Sequence, residues 1–223
     1  MYNNGVTTGS YEIRKCGSCG LRYPLVEGNP HGRRCPACAG ETRRLLSRKL
    51  IWESRSTPAP PSLSADASLE KRGELAVLLD NVRSALNVGS ILRSADGFRL
   101  AHAFLCGITP TPDGSAGEAV RKTSLGAEDW VPWSYHKDGE KLAMGLKKEG
   151  WKILALEDDS RAIDIDLAST SAGDNVLIVG NEVTGVDPEL LDLCDQIFYI
   201  PMRGGKKSFN VAVAFGIAAF TLR

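Results

Sequence analysis

At 223 residues, 43% hydrophobic and 24% charged, the chain has the composition of an ordinary globular protein, long enough for one medium domain and a smaller one. No run is long and apolar enough to span a membrane, and Met1–Ser10 lacks the basic and apolar regions of a secretory signal, so a cytoplasmic protein with no membrane partner is expected. The zero net charge hides a split: residues 1–72 carry 12 Lys+Arg against 6 Asp+Glu, or +6, and residues 73–223 carry 15 against 21, or −6. An anionic partner is drawn to the N-terminal part first.

Residues 1–11 have no periodicity and read as disordered. Cys16-Gly-Ser-Cys19 and Cys35-Pro-Ala-Cys38 follow, two C-x₂-C pairs with fifteen residues between them. This is zinc-ribbon spacing. The short gap in each pair turns two sulfurs toward one point, and four thiolates fill a tetrahedral shell and leave no position for water, so the expected Zn²⁺ is structural. A redox role would need only one pair, and the remaining cysteines, Cys106 and Cys194, fall in apolar or helical stretches. His31 is surplus to a full shell. Around the pairs lie Arg14, Lys15, Arg22, Arg33, Arg34, Arg43, Arg44, Arg48 and Lys49, with Tyr23 and Trp52 among them. Cations meet phosphates and aromatic rings stack on unpaired bases, which favours RNA. Each ring taken singly is more simply explained as packing on the ribbon.

Residues 54–70 contain five Ser and three Pro and little that could pack, the composition of a linker. The expected organisation is a ribbon over 11–53, a linker over 54–70 and a second domain over 71–223. In that domain strands are expected at Glu74–Leu79, Ala103–Ile108, Lys152–Leu156, Val176–Val179 and Ile197–Ile200, with helices at Val88–Phe98, Ala116–Ser124 and Gly139–Glu149. Strand and helix in alternation predict an α/β domain, a mostly parallel sheet covered on both faces.

Two strands end in turn chemistry. Val176–Val179 runs into Gly180-Asn181-Glu182 with Gly185, and Ile197–Ile200 runs into Pro201 with Gly204-Gly205. A last, almost wholly apolar helix follows, with Ser208 expected as its N-cap. Loops at the carboxyl ends of strands and a helix N-terminus form the ligand sites of open α/β sheets, so this stretch reads as a pocket. After the first strand, Asp80 to Arg93 contains Asn87, expected to cap a helix, Gly89, which admits a close neighbour, and Arg93, whose side chain could reach back toward the strand ends. No G-x-G-x-x-G follows a strand, and in Gly205-Lys206-Lys207-Ser208 the extra Lys breaks the P-loop order, so dinucleotide and NTPase sites are excluded.

Together Asn87-x-Gly89-x₃-Arg93, Gly180-Asn181-Glu182 with Gly185, and Ile200-Pro201-Met202 leading to Ser208-Phe209-Asn210-Val211 resemble the SpoU, or TrmH-type, branch of the SPOUT methyltransferases. Lys122–Glu128 and Val131-Pro132-Trp133 are similar as well, and the resemblance covers residues 74–223. It departs from the pattern at Ser84, where the motif has Asn, and at Phe209, where Leu is common; the last helix, ending at Arg223, is expected to be short. The resemblance implies a trefoil knot, a homodimer through the knotted region, and 2′-O-methylation of a ribose in tRNA or rRNA with S-adenosylmethionine. It implies cofactor binding by Gly180, Asn181, Glu182, Gly185, Ile200, Met202, Ser208 and Phe209. Arg93 is the implied catalytic residue, with Asn87 orienting it or the substrate, Glu182 ordering its loop, and Ser208 and Asn210 shaping the site. A guanidinium is a poor base, so Arg93 either loses its proton in a dry site or stays charged and aligns phosphate and hydroxyl. The alternatives are a non-catalytic RNA-binding protein on the same fold and a SPOUT base methyltransferase.

Overall fold

The computed structural model describes residues 9–26, 33–50, 73–168 and 173–222. It falls into two compact units that divide between Asp66 and Ala67. The boundary lies in the expected linker, which, like His31 and Trp52, is outside the described residues.

The first unit is a three-stranded antiparallel sheet of β1 (Gly9–Cys16), β2 (Arg22–Val26) and β3 (Thr42–Leu50) in the order β2-β1-β3. Gly9–Tyr11, expected to be disordered, belong to β1, paired on one side with Leu50, Lys49 and Arg48. Ladder hydrogen bonds hold these residues where side-chain periodicity gave no signal. A bulge in β3 shifts the β1–β3 register between Ile13 and Arg14.

The second unit is a seven-stranded sheet, parallel at every pairing. Its strands are β4 (Leu75–Asp80), β5 (Ala103–Cys106), β6 (Trp133–His136), β7 (Lys152–Leu156), β8 (Ile163–Asp164), β9 (Asn175–Val179) and β10 (Gln196–Tyr199), in the order β6-β5-β4-β9-β7-β10-β8. The helices are α1 (Ala85–Gly97), α2 (Gly117–Ser124), α3 (Gly139–Lys148), α4 (Pro188–Leu193) and α5 (Val211–Leu222). None of them is long and apolar enough to cross a membrane.

Alternation along the strands separates two cores. From β4, Val77 and Leu79 join Ile91 and Leu92 of α1, Val120 of α2 and Phe215 and Ala218 of α5. Ala76 and Leu78 join Ala143 and Leu146 of α3 and Leu190 of α4 on the other face. Central strands buried on both faces read in sequence as unbroken apolar runs, which is why β4, β7, β9 and β10 were legible. β6 and β8 are edge strands, one of them two residues long, and α4 has six residues, so none of the three had a readable period. Gly89 seats α1 on α2, since a Cβ there would lie 2.1 Å from the Val120 carbonyl oxygen and 2.2 Å from Thr123 Oγ1.

Candidate functional site

Three parallel strands end side by side, and the loops that leave them build a cleft of about 540 Å³. β7 supplies Leu156, Glu157 and Asp158, β9 supplies Val179 to Val183 and Gly185, and β10 supplies Tyr199, Ile200 and Met202. Lys207 to Val211 and Ala214, at the start of α5, close it. All eight residues expected to bind cofactor line this cleft.

Backbone geometry fixes the loop after β9. A Cβ on Gly180 would stand 2.3 Å from the Gly185 carbonyl carbon and the Val186 nitrogen, and Gly185 has φ +75°, so both positions require glycine. Asn181 and Gly185 exchange two backbone hydrogen bonds of 3.0 and 2.9 Å. The Asn181 side chain accepts from Val183 N at 2.9 Å and donates to the Asn81 carbonyl at 2.8 Å. Two carboxylates without an expected role complete the lock. Glu157 Oε2 accepts from Val186 N at 2.9 Å, and buried Asp80 accepts from Asp187 N at 2.9 Å. Burial pushes the Asp80 carboxyl above its ordinary range despite the N–H donors of Asp187 and Asn81. Glu157 follows an apolar run directly, as Gly180 and Pro201 do, and that position was the signal available for it.

The Glu182 carboxylate leaves the loop and clamps the start of α1. It accepts from Arg83 N at 2.9 Å, Ser84 N at 3.0 Å and Asn87 Nδ2 at 2.8 Å. Partial burial alone would raise its pKa, but these donors outweigh burial and hold it below the usual carboxylate range. With three donors seated, Glu182 orders the loop and is poorly placed to take a proton. Asn87 Oδ1 in turn accepts from Asn210 Nδ2 at 3.0 Å, so Glu182, Asn87 and Asn210 form one chain across three loops.

Two expected caps are corrected. Ser84 caps α1, accepting from Asn87 N at 3.4 Å, so Asn87 lies in the first turn and its amide is free to bridge the loops. Asn210, not Ser208, caps α5: its Oδ1 accepts from Ala212 N at 2.9 Å, while Ser208 stays exposed on the cleft wall. Asx and Ser compete for caps on nearly equal terms, and the chain's entry direction decides between them.

Arg93 does not line the cleft. It lies six residues beyond Asn87 on α1, about 9 Å along the axis and on another side of the helix. It is exposed, and its side chain has no hydrogen-bond or ion-pair partner among the described residues. At the cleft mouth the loop 203–207 presents Arg203, Lys206 and Lys207, all exposed.

In the first unit the four cysteine sulfurs lie within 4.8 Å of one another, with Cys16 and Cys38 Sγ 3.5 Å apart and Cys19 and Cys35 Sγ 3.6 Å apart. A tetrahedron with Zn–S bonds of about 2.3 Å spaces its sulfurs by about 3.8 Å, so the donor set and its size fit Zn²⁺. The two knuckles repeat one geometry. Gly20 N donates to Cys16 O and Ala39 N to Cys35 O, and both Gly20 and Ala39 have positive φ. Cys106 and Cys194 belong to the second unit, and burial pushes each thiol up to about 12, leaving them as packing residues. The Tyr23 hydroxyl donates to the Arg34 carbonyl at 2.9 Å and ties β2 to the second knuckle.

A parallel α/β sheet with a glycine-walled cleft at its strand ends places the chain among the open-sheet ligand-binding proteins, and the comparisons narrow it. The family model described as "SpoU rRNA Methylase family" matches residues 74–220. The chain is 32% identical over 170 residues to the 23S rRNA (guanosine-2′-O-)-methyltransferase RlmB of Coxiella burnetii, covering 72% of this chain and 63% of that protein. It is 33% identical over 155 residues to the tRNA (guanosine(18)-2′-O)-methyltransferase of Thermus thermophilus, covering 67% of this chain and 74% of that protein. Among solved structures, the AdoMet-bound rRNA methyltransferase from Sinorhizobium meliloti matches with a TM-score of 0.63 and 28% identity, over 68% of this chain and 56% of that one. The matched region thus spans under two thirds of the Coxiella and Sinorhizobium proteins. The chain belongs to the SpoU methylase family.

Proposed function

We propose that the protein transfers a methyl group from S-adenosylmethionine to a ribose 2′-hydroxyl of tRNA or rRNA. The observation that carries this is the cleft. Three strand-end loops converge on a volume suited to a nucleoside-sized ligand, with apolar walls (Leu156, Val179, Ile200, Phe209) and polar ones (Glu157, Asn181, Ser208, Asn210). The names of the relatives supply the direction. When bound, the cofactor supplies an electrophilic methyl on a sulfonium. Gly180 and Gly185 hold the loop that receives it, and Glu182, Asn87 and Asn210 join that loop to α1. Arg93, exposed and unengaged, offers a planar cation able to grip an RNA phosphate and align the ribose oxygen. Arg203, Lys206 and Lys207 draw the polyanion to the mouth of the cleft. Such substrates place the reaction in the cytoplasm.

The reading extends to a homodimer and a trefoil knot. Val213 and Phe220 are 51% and 74% exposed on a helix with no charged residue, a face suited to a second copy. The interleaved strand order, β9 inside β4 and β7 and β10 beyond β7, supports the knot. A sedimentation mass of one chain at micromolar concentration would refute the dimer.

Purified protein with isotope-labelled S-adenosylmethionine and unmodified tRNA or rRNA tests the activity: label should appear in a nucleotide whose 3′ linkage resists alkali, the signature of a blocked 2′-hydroxyl. Label in a base would establish the base-methyltransferase alternative. Arg93→Ala should lower turnover by about a hundredfold or more while leaving cofactor affinity within twofold, because Arg93 stands off the cleft wall. Arg93→Lys should recover little, since a point ammonium cannot hold two acceptors in a plane. Wild-type turnover by Arg93→Ala would remove the assignment.

A further inference from the structure

Three exposed cations stand in a row across the ribbon sheet. Lys15 of β1 is directly opposite Arg22 of β2 and Arg43 of β3, so all three side chains leave the same face. Like charges set directly opposite one another destabilise a sheet. Here none is relieved: no carboxylate among the described residues pairs with Lys15, Arg22 or Arg43. Beyond the β3 bulge, Arg48 is opposite Tyr11 on this same face, also without a partner among the described residues, and half-buried Ile13 and Leu46 lie between the two basic positions.

The other face of the same strands is built differently. Arg14 is 6% exposed, pairs with Glu12, and donates to Thr42 Oγ1 at 2.8 Å and to the Thr42 carbonyl at 2.7 Å. Arg44 reaches the second oxygen of Glu12 at 3.4 Å. Tyr23 and Thr42 bond the carbonyls of Arg34 and Arg33, so that face packs on the second knuckle. One sheet therefore neutralises its cations where they serve packing and leaves a contiguous row of them bare where they do not. An anion with repeated charges lying across the row would relieve that repulsion.

We propose that this open face of the ribbon docks the phosphodiester backbone of RNA, with Arg22, Lys15 and Arg43 taking neighbouring phosphates and the half-buried Tyr11 ring beside an unpaired base. The choice of RNA over another polyanion rests on the activity proposed above; the row itself does not depend on it. The ribbon then holds substrate and the cleft of the second unit performs the chemistry.

The test uses the full zinc-loaded chain and the triple variant Lys15→Gln, Arg22→Gln, Arg43→Gln, with bulk tRNA and poly(U) as probes in filter binding across a salt series. Each phosphate contact contributes about 0.7 to the log–log salt slope for a single strand, so the slope should flatten by about 2 and affinity should fall roughly tenfold or more at low salt. A charge-matched variant on the second unit, Lys141→Gln, Lys148→Gln, Lys152→Gln, should leave both within error. Unchanged zinc content certifies a folded ribbon; should the triple variant lose zinc, Arg22→Gln and Arg43→Gln singly carry the test, each flattening the slope by about 0.7. Unchanged affinity and slope in the triple variant would overturn the docking face, even if the protein methylates RNA. Binding of phosphatidylglycerol vesicles that needs the row, with RNA binding that does not, would overturn it as well. Conversely, RNA held through the row with no methyl transfer under any condition would overturn the activity and leave the docking face standing.

Discussion

The ribbon and the sheet domain hold their shapes by opposite means. In the described ribbon only Arg14, Cys16 and Cys35 are buried, and the rest is half-buried or exposed. The sheet domain buries alternate residues of every central strand in two separate cores and seats its loops with backbone hydrogen bonds. A unit this small cannot bury enough apolar area to offset the entropy of ordering its chain, so metal ligation has to supply the difference. The larger unit has the area and can leave its strand ends open for a ligand. Each unit is vulnerable where its own support can be removed.

Removing the metal should break the comparison most visibly. Structural Zn²⁺ contributes on the order of 10–16 kcal/mol in small zinc-dependent folds, so a chelator strong enough to strip it should unfold β1–β3 and leave β4–β10 intact. Hydrogen exchange by mass spectrometry reads this directly, with protection lost from ribbon peptides and retained in β4 and β9. Ribbon protection that survives complete loss of zinc would mean that packing, and not the metal, holds the unit.

A smaller effect, confined to the cleft, is expected from Gly180→Ala. The new methyl would meet the Gly185–Val186 backbone at 2.3 Å, and no side chain can rotate away to admit it. Overpacking of this kind costs about 1–3 kcal/mol, and the displaced loop should weaken S-adenosylmethionine binding at least tenfold. Thermal unfolding and calorimetry on one preparation check both. Wild-type affinity in the variant would show that this loop is not part of the cofactor site.

The smallest effect on stability is expected from Glu182→Gln, and pH gives it a signature. Because the folded carboxyl titrates below its unfolded value near 4.3, the stability it contributes is complete above that value and is lost as pH falls through the folded one. The side chain is substantially exposed, so its worth is discounted to about 1 kcal/mol. Unfolding measured from pH 7 down to pH 3 should show the wild type converging on the variant at the acid end. A constant gap across that range would assign the stabilisation to shape and not to charge.

How much of the site could be read in advance follows from how local each feature is. Gly180, Asn181, Glu182 and Gly185 stand directly after an apolar run, and a strand that stops at glycine leaves its signature within six residues. Asp80 and Glu157 also follow apolar runs, but no glycine marks them and nothing local shows what they bind. Their importance lies in accepting Asp187 N and Val186 N, partners 107 and 29 residues away along the chain. Asn87 and Ser208 were expected to cap α1 and α5; Ser84, three residues earlier, and Asn210, two residues later, take those places, because propensity does not fix the direction in which the chain enters a helix.

The zinc shell, the alternation of strand and helix, and the glycine loops are legible in a short window, because each is set by spacing within one turn, one knuckle or one strand. Only the tertiary structure decided that β9 lies between β4 and β7, and so that Glu182 meets Asn87 across 95 residues and Asn210 meets Asn87 across 123. It also decided which cations share a face of the ribbon. Simple alternation along β3 would separate Arg43 from Arg48, and the bulge between them restores both to the side of Lys15 and Tyr11. Strand order and register are settled by the burial and hydrogen bonding of the whole sheet, a sum over distant residues that no local window contains.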